Sequence, residues 1–163
     1  MTGAPNEELA TFGAGCYWGT EKYIVTVLGD KYPGSILGNA VGFMSPYKDA
    51  VEAPAYKNVC SGTTTHVEVL HIRFNNSVIS YQELVKFFFT FHDPTTLNKQ
   101  GNDKGTQYAS VIFYHSPQQQ QIAQKVMKRV QIHLDHKEIK FANRKVITQI
   151  LPKTIFYPAH LDH

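Results

Sequence analysis

The sequence predicts an α+β fold: a ferredoxin-like two-layer sandwich with a βαββαβ core, extra C-terminal elements and long loops. Three observations carry that expectation. His66–Phe74 alternates and is rich in Val, Leu and Ile, the pattern of a half-buried strand. Ser80-Tyr81-Gln82-Glu83 has the form of a capping box, and Ser116-Pro117 places a cap and a proline at a second helix start. The remaining periodic segments alternate with these, and the order reads βαββαβαβ, whose first six elements match a split βαβ arrangement.

Taken in order, Leu9–Phe12 reads as a strand that runs into Gly13-Ala14-Gly15. Tyr17–Leu28 reads as a helix, and Ser35–Val41 as a second strand. The stretch from Gly42 to Ser61 holds Pro46 and Pro54, shows no period and reads as a long loop. After the His66–Phe74 strand, a helix opens at Ser80 and runs through Phe91. Asp93 to Tyr108 reads as a second long loop, with Asp93-Pro94 and Gly101-Asn102-Asp103 as its turns. Ser110–His115 is a strand, the Ser116 helix runs to about His136, and Lys145–Ile150 is a last strand. The tail, with Pro152 and Pro158, reads as irregular. Loops of such length in a compact domain are commonly functional.

Composition narrows the classes of function. At 163 residues, 42% hydrophobic and 18% charged, the chain is expected to be one soluble globular domain spanning 1–163. The net charge of +3 is spread along the chain, with a denser group from Lys125 to Lys145 that reads as a solvated helix face. No basic stripe alternates with stacking aromatics, so no nucleic-acid partner is expected. No apolar run is long enough to span a bilayer, and no membrane association is expected. The first residues have neither a charged start nor an apolar run, so they do not read as a signal peptide. With two cysteines, Cys16 and Cys60, the chain is not a disulfide scaffold. A reducing, cytoplasmic setting is the expectation.

Gly15-Cys16-Tyr17-Trp18-Gly19 is the segment with most chemical content. It sets a thiol where a strand hands over to a helix N-terminus. The open backbone N–H groups and the helix dipole there favour an anion, and the thiolate is the reactive form. The glycines admit a close approach, and the aromatics can wall a small apolar pocket beside the sulfur. The commoner fate of a cysteine beside aromatics is a small buried hydrophobe. The context of strand, glycine and helix start brings the two readings level.

Further blocks follow in order: Tyr56-Lys57-Asn58-Val59-Cys60-Ser61-Gly62, the strand bearing Glu68, Phe91-His92-Asp93-Pro94-Thr95-Thr96, and Gln100-Gly101-Asn102-Asp103-Lys104-Gly105-Thr106-Gln107-Tyr108. Together with the Cys16 segment, this set resembles the peptide methionine sulfoxide reductases of the A type, from about residue 9 to the C-terminus. The resemblance implies thiol-dependent reduction of the S epimer of methionine sulfoxide, free or in proteins, as protein repair under oxidative stress. It implies that Cys16 is the nucleophile and becomes a sulfenic acid. Glu68 matches the family's acid, and burial among apolar neighbours would raise its pKa to suit that task. Tyr56 and Tyr108 match the tyrosines that hydrogen-bond the sulfoxide oxygen, Asp103 an acidic residue that orients them, and Tyr17 and Trp18 the holders of the sulfoxide methyl. The resemblance implies no bound cofactor or metal, a monomer, and thioredoxin or another thiol as reductant.

The chain departs from the family pattern at several places. Position 17 is Tyr where Phe is usual, Val41–Pro46 lacks the usual Tyr and glycine pair, and Thr65 replaces a common Gly. Many members carry one or two resolving cysteines in a C-terminal tail, whereas Phe156–His163 carries none. Either a longer natural tail exists, or an external thiol attacks the sulfenic acid directly, with Cys60 as the internal candidate. Competing readings are a Cys-His hydrolase or acyl transferase using one of eight histidines, and a protein that binds oxidised methionine without turnover. His133-x-x-His136 and His160-x-x-His163 have helical spacing but no third ligand, and read as surface histidines.

Overall fold

The computed structural model of the chain describes residues 6–45, 66–98 and 108–159 in full, and 99–100 and 103–104 as backbone. It is a mixed α+β structure built on a six-stranded sheet. The strands are β1 (Glu7–Gly13), β2 (Ile36–Met44), β3 (Val67–Asn75), β6 (Val111–Tyr114), β7 (Gln149–Pro152) and β8 (Tyr157–Pro158). Their order across the sheet is β7-β6-β1-β3-β2-β8. All neighbours are antiparallel except β6 and β7, which run parallel. A separate hairpin joins β4 (Lys99–Gln100) to β5 (Asp103–Lys104).

Alternation along β1 and β3 sorts their side chains between two layers. Ala10, Phe12, Leu70, Ile72 and Phe74 face the helices and are fully buried. There they meet Ile24 and Leu28 of the first helix, Leu84, Val85 and Phe88 of α3 (Tyr81–Phe88), and Ala123 and Val126 of α4 (Pro117–Asp135). Phe12 and Phe88 stack with ring centroids 5.1 Å apart at the centre of this core. On the opposite face Val67, Val69, Val111 and Phe113 form a smaller cluster, covered by Leu151 and Phe156 of the C-terminal segment.

The first helix is continuous but not uniform. It opens as α1 (Tyr17–Glu21), widens to a π-helix over Lys22–Leu28, and closes as α2 (Gly29–Lys31). The later helices begin as the sequence predicts: Ser80 Oγ accepts from the Glu83 N–H at 3.1 Å, and Ser116 Oγ accepts from the Gln119 N–H at 3.2 Å.

The sequence expectations differ from the structure at several element ends. β2 does not stop at Val41 but continues through Gly42-Phe43-Met44, because Val69-Glu68-Val67 supplies a full antiparallel partner. The helix opened by Ser80 ends at Phe88, not Phe91. Thr90 N–H and Oγ1 both turn back to the Phe87 carbonyl, and the His92 ring reaches the Phe88 carbonyl at 2.7 Å. The last predicted strand lies at Gln149–Pro152 rather than Lys145–Ile150, since the Ile147 N–H is already spent on the Pro94 carbonyl. The tail is not irregular throughout: β8 pairs Tyr157 with Phe43 and Pro158 with Gly42. Gly42 is required there, because a Cβ would run into the Tyr157 carbonyl and would lie 2.9 Å from the Phe156 ring.

Two polar networks with histidines are built into the frame. His92 Nε2 meets Ser110 Oγ at 2.8 Å, and Ser110 Oγ meets Thr148 Oγ1 at 2.7 Å. On the other face Thr11 Oγ1 lies between His71 Nδ1 at 2.8 Å and His115 Nε2 at 2.9 Å, with Phe156 stacked on His71. Burial pushes the His92 imidazole down to about 4, against the opposing pull of the Phe88 carbonyl and Asp93. Burial, aided by His71 and Lys153, takes His115 to about 4 as well.

These depressed values fix the sign of an acid effect. In the unfolded chain the imidazoles return toward 6.5, so between pH 6.5 and 4 the unfolded state binds protons that the native state refuses. Stability is full above that window and falls as pH drops through it. His92→Gln is expected to remove about 2 kcal/mol of the loss between pH 8 and pH 4.5. Urea midpoints for both proteins at the two pH values measure it; parallel losses would show that His92 is not a source of the acid sensitivity.

Candidate active site

Four chain segments meet at one end of the sheet. β1 ends at Gly13, which pairs with Val111 at the start of β6. Glu68 sits at the start of β3 opposite Phe43, near the end of β2. The turn Ala14-Gly15-Cys16 leaves β1 and enters α1 at this end. Gly15 has φ +77°, a conformation open to glycine, and it swings the chain from strand direction into the helix.

Cys16 is the N-cap of α1, extended at φ −65° and ψ 131°. Its carbonyl accepts from the Gly19 N–H at 3.0 Å and begins the helix. The thiol is partly exposed at a point where the helix leaves its first N–H groups without intrahelical partners. The next N–H, of Tyr17, is donated to Glu68 Oε1 at 3.2 Å. That bond spans 51 residues of sequence and ties the helix start to β3.

Glu68 is wholly buried, with Val67 and Val69 also buried on either side. It lies on the helix-facing side of β3, in line with Leu70 and Ile72, so the strand's alternation alone aims it at the N-terminus of α1. Tyr17 is also fully buried, against Phe43 at 5.8 Å between ring centroids, with Cys16, Val41 and Ala159 around the pair. Trp18 stands edge-on to Tyr17 at 5.1 Å and remains 47% exposed, so Trp18 is the member of the aromatic pair open to solvent. Tyr108 is half-buried just before β6, at the same end of the sheet. His66 is buried one step before β3, its ring 5.7 Å from that of Tyr157, and burial holds its pKa below the ordinary value.

The structure thus gathers Cys16, Tyr17, Trp18, Glu68 and Tyr108 at this end. Tyr56 and Cys60 lie outside the described residues, and Asp103 is described only as backbone in β5. Sequence reasoning missed Phe43, which it assigned to a loop, and the contribution of Tyr157 and Ala159 from the tail. Alternation from Val41 through Phe43 was the available signal, weakened by two glycines at 38 and 42. On the other side of α1 a cleft of about 500 Å³ borders Gly15 and Cys16. His92 lines it, but its ring nitrogens are engaged by the Phe88 carbonyl and Ser110 Oγ, so it is not placed as a base for the thiol. His133 and His136 sit beside Glu138 at the exposed end of α4, at 3.1 and 3.7 Å. Among the described residues no three His, Cys, Asp or Glu side chains gather as metal ligands.

Comparison with known proteins points to one family. Residues 8–163 match the family model of peptide methionine sulfoxide reductase. A peptide methionine sulfoxide reductase of Saccharolobus solfataricus is 40% identical over 156 residues, covering 96% of this chain and 78% of that protein. The crystal structure of reduced Mxr1 from Saccharomyces cerevisiae superposes with a TM-score of 0.83 at 36% identity, covering 99% of this chain and 84% of Mxr1. Mxr1 in complex with Trx2 matches with a TM-score of 0.65 at 27% identity, covering 98% and 86% of the two chains.

The bond from Tyr17 to Glu68 has a direct test. Glu68→Gln keeps an oxygen that can accept the Tyr17 N–H and is expected to fold with little change in Tm. Glu68→Ala strands that buried N–H and opens a void, at a cost of about 1–3 kcal/mol. Thermal unfolding of the two variants separates them; equal Tm values would mean that the bond contributes nothing.

Proposed function

This chain belongs to the peptide methionine sulfoxide reductase family, and we propose that Cys16 is the thiol with which it reduces methionine sulfoxide, Glu68 supplying the proton. It is a thiol-dependent reductase of oxidised methionine. The observation that carries the assignment of roles is the Tyr17 N–H bond to Glu68: it sets a buried carboxyl beside the helix start that holds the thiol.

The chemistry follows from that arrangement. The helix start favours the Cys16 thiolate over the thiol. The thiolate attacks the sulfoxide sulfur while Glu68 gives its proton to the oxygen. Oxygen passes to the cysteine, methionine leaves, and Cys16 becomes a sulfenic acid. Enclosure among apolar strand residues works against the carboxylate form of Glu68, while the Tyr17 N–H works for it. Trp18, backed by the buried Tyr17, gives the sulfoxide methyl an open aromatic wall. By resemblance Tyr56 and Tyr108 hold the oxygen, and Asp103 orients them and the substrate. An external thiol then attacks the sulfenic sulfur and releases water, and a second thiol reduces the mixed disulfide. The structure of Mxr1 with Trx2 supports a thioredoxin as that donor. We further read residues 1–163 as one domain acting as a cytoplasmic monomer on the S epimer, in repair of oxidised proteins. No nucleic-acid or membrane partner and no cofactor belong to this reading. The finer fold assignment, a ferredoxin-like sandwich, is supported by the order β6-β1-β3-β2 within the larger sheet.

Single turnover without reductant tests the roles. The reduced chain mixed with racemic N-acetyl-methionine sulfoxide should yield about one equivalent of methionine from one epimer, with loss of one thiol. Cys16→Ser should yield none, and Cys60→Ser should keep the first turnover. Equal loss in both variants would overturn the assignment. Glu68→Gln, folded but without an acid, should slow the step by about 10²–10⁴-fold. A rate unchanged at neutral pH would remove Glu68 as the proton donor.

A further inference from the structure

The cleft on the far side of α1 from Tyr17 has no part in the reaction just described, yet it begins at the reacting residue. Its near wall is Gly15, Cys16 and Gly19, and its far walls are Tyr23, Phe91 and Phe141, with the polar His92 and Asp93 between them. Tyr23 lies one turn beyond Gly19 and stacks on Phe91, with ring centroids 5.1 Å apart and planes 11° from parallel. Among the described residues, a Cβ added at Gly19 would meet nothing within 4 Å, so the helix face at Gly19 is open.

The outer wall is fixed in place by hydrogen bonds. Phe141 precedes a segment held at both ends of a short span. Ala142 N–H donates to Asp93 Oδ2 at 2.9 Å, and Asn143 N–H donates to Thr95 Oγ1 at 3.0 Å. Asn143 Nδ2 donates to the Thr95 carbonyl at 2.9 Å, and Gln131 Nε2 donates to the Arg144 carbonyl at 2.9 Å. Asp93 is itself set by the Thr95 N–H at 2.9 Å. The result is a preformed, ring-walled cleft of about 500 Å³, within the range of ligand pockets.

We propose that this cleft is a subsite of the enzyme that takes an aromatic or large aliphatic side chain next to the methionine sulfoxide in a peptide substrate, with Tyr23 and Phe141 determining that preference. The inference rests on the reading of Cys16 as the reacting thiol. A sulfoxide seated on Cys16 brings the adjoining residues of its peptide to the mouth of the cleft, since consecutive Cα atoms are about 3.8 Å apart. His92 and Asp93 also line the cleft but are engaged by Phe88, Ser110, Thr95 and Ala142, so the aromatic walls and continuity with the thiol favour an apolar side chain. N-acetyl-methionine sulfoxide has no neighbouring side chain and does not reach the cleft.

The test compares N-acetyl-Gly-Met(O)-Gly-amide with the same peptide carrying Phe before or after the sulfoxide, using dithiothreitol as reductant. One of the Phe peptides is expected to show kcat/KM on the order of tenfold higher, mostly through KM. Tyr23→Ala and Phe141→Ala should each reduce that advantage to about twofold or less. Both should leave N-acetyl-methionine sulfoxide turnover unchanged. Tyr23 is 39% exposed, so its removal spares the core. Calorimetric binding of the same peptides to Cys16→Ser repeats the comparison without turnover, so it reads the subsite even if the redox assignment fails. No preference for either Phe peptide, or a preference that survives both substitutions, would overturn the proposal.

Discussion

One hydrogen bond joins the parts of this molecule that chemistry needs together: the Tyr17 N–H donated to Glu68. A helix N-terminus must place its first N–H groups somewhere, and a buried carboxyl must find donors. Here each requirement answers the other. The bond fixes how far α1 stands from β3, and thereby where Cys16 stands relative to the Glu68 carboxyl. The sheet provides the rigidity behind it, since β3 is paired on both sides and buried on both faces near Glu68. A register slip of one residue in β3 would turn Glu68 to the opposite layer.

The start of α1 divides the surroundings of the thiol in two. Tyr17 and Phe43 close one side, sealed by the tail through Ala159, whose N–H reaches the Val41 carbonyl at 2.9 Å. Tyr23 and Phe91 line the other side and leave it open. The π-helical stretch Lys22–Leu28 follows directly on α1, and it delivers Ile24 and Leu28 to the core while Tyr23 turns to Phe91. Extra width in a helix near a reactive group is a common way of re-aiming side chains.

Much of this was legible in the sequence, and the rest failed for identifiable reasons. Gly15-Cys16 at a strand end announced the turn, and the alternation in His66–Phe74 located Glu68 on a strand. The capping serines fixed two helix starts to the residue. Helix ends were harder: Thr90 and His92 terminate α3 with side-chain bonds to backbone carbonyls, which no periodicity reports. β2 was cut short because Gly42 lowers strand propensity, while its partner strand and the overlying tail stabilise it. Pairing partners distant in sequence decide such cases, as they do for β8. Phe141, more than forty residues from Asp93, belongs to the cleft only because Asp93 and Thr95 hold its segment.

The tail contact also sets a schedule for the thiol. Ala159, which helps enclose Tyr17, leaves the ribosome well after Cys16. At about 5–20 residues per second, the interval is on the order of ten seconds. Through that time the neighbouring strands β3 and β6 arrive one after another, and Cys16 is an ordinary cysteine on a nascent chain. The enclosure of Tyr17 beside Cys16 therefore waits on completion of the sheet and its tail strand.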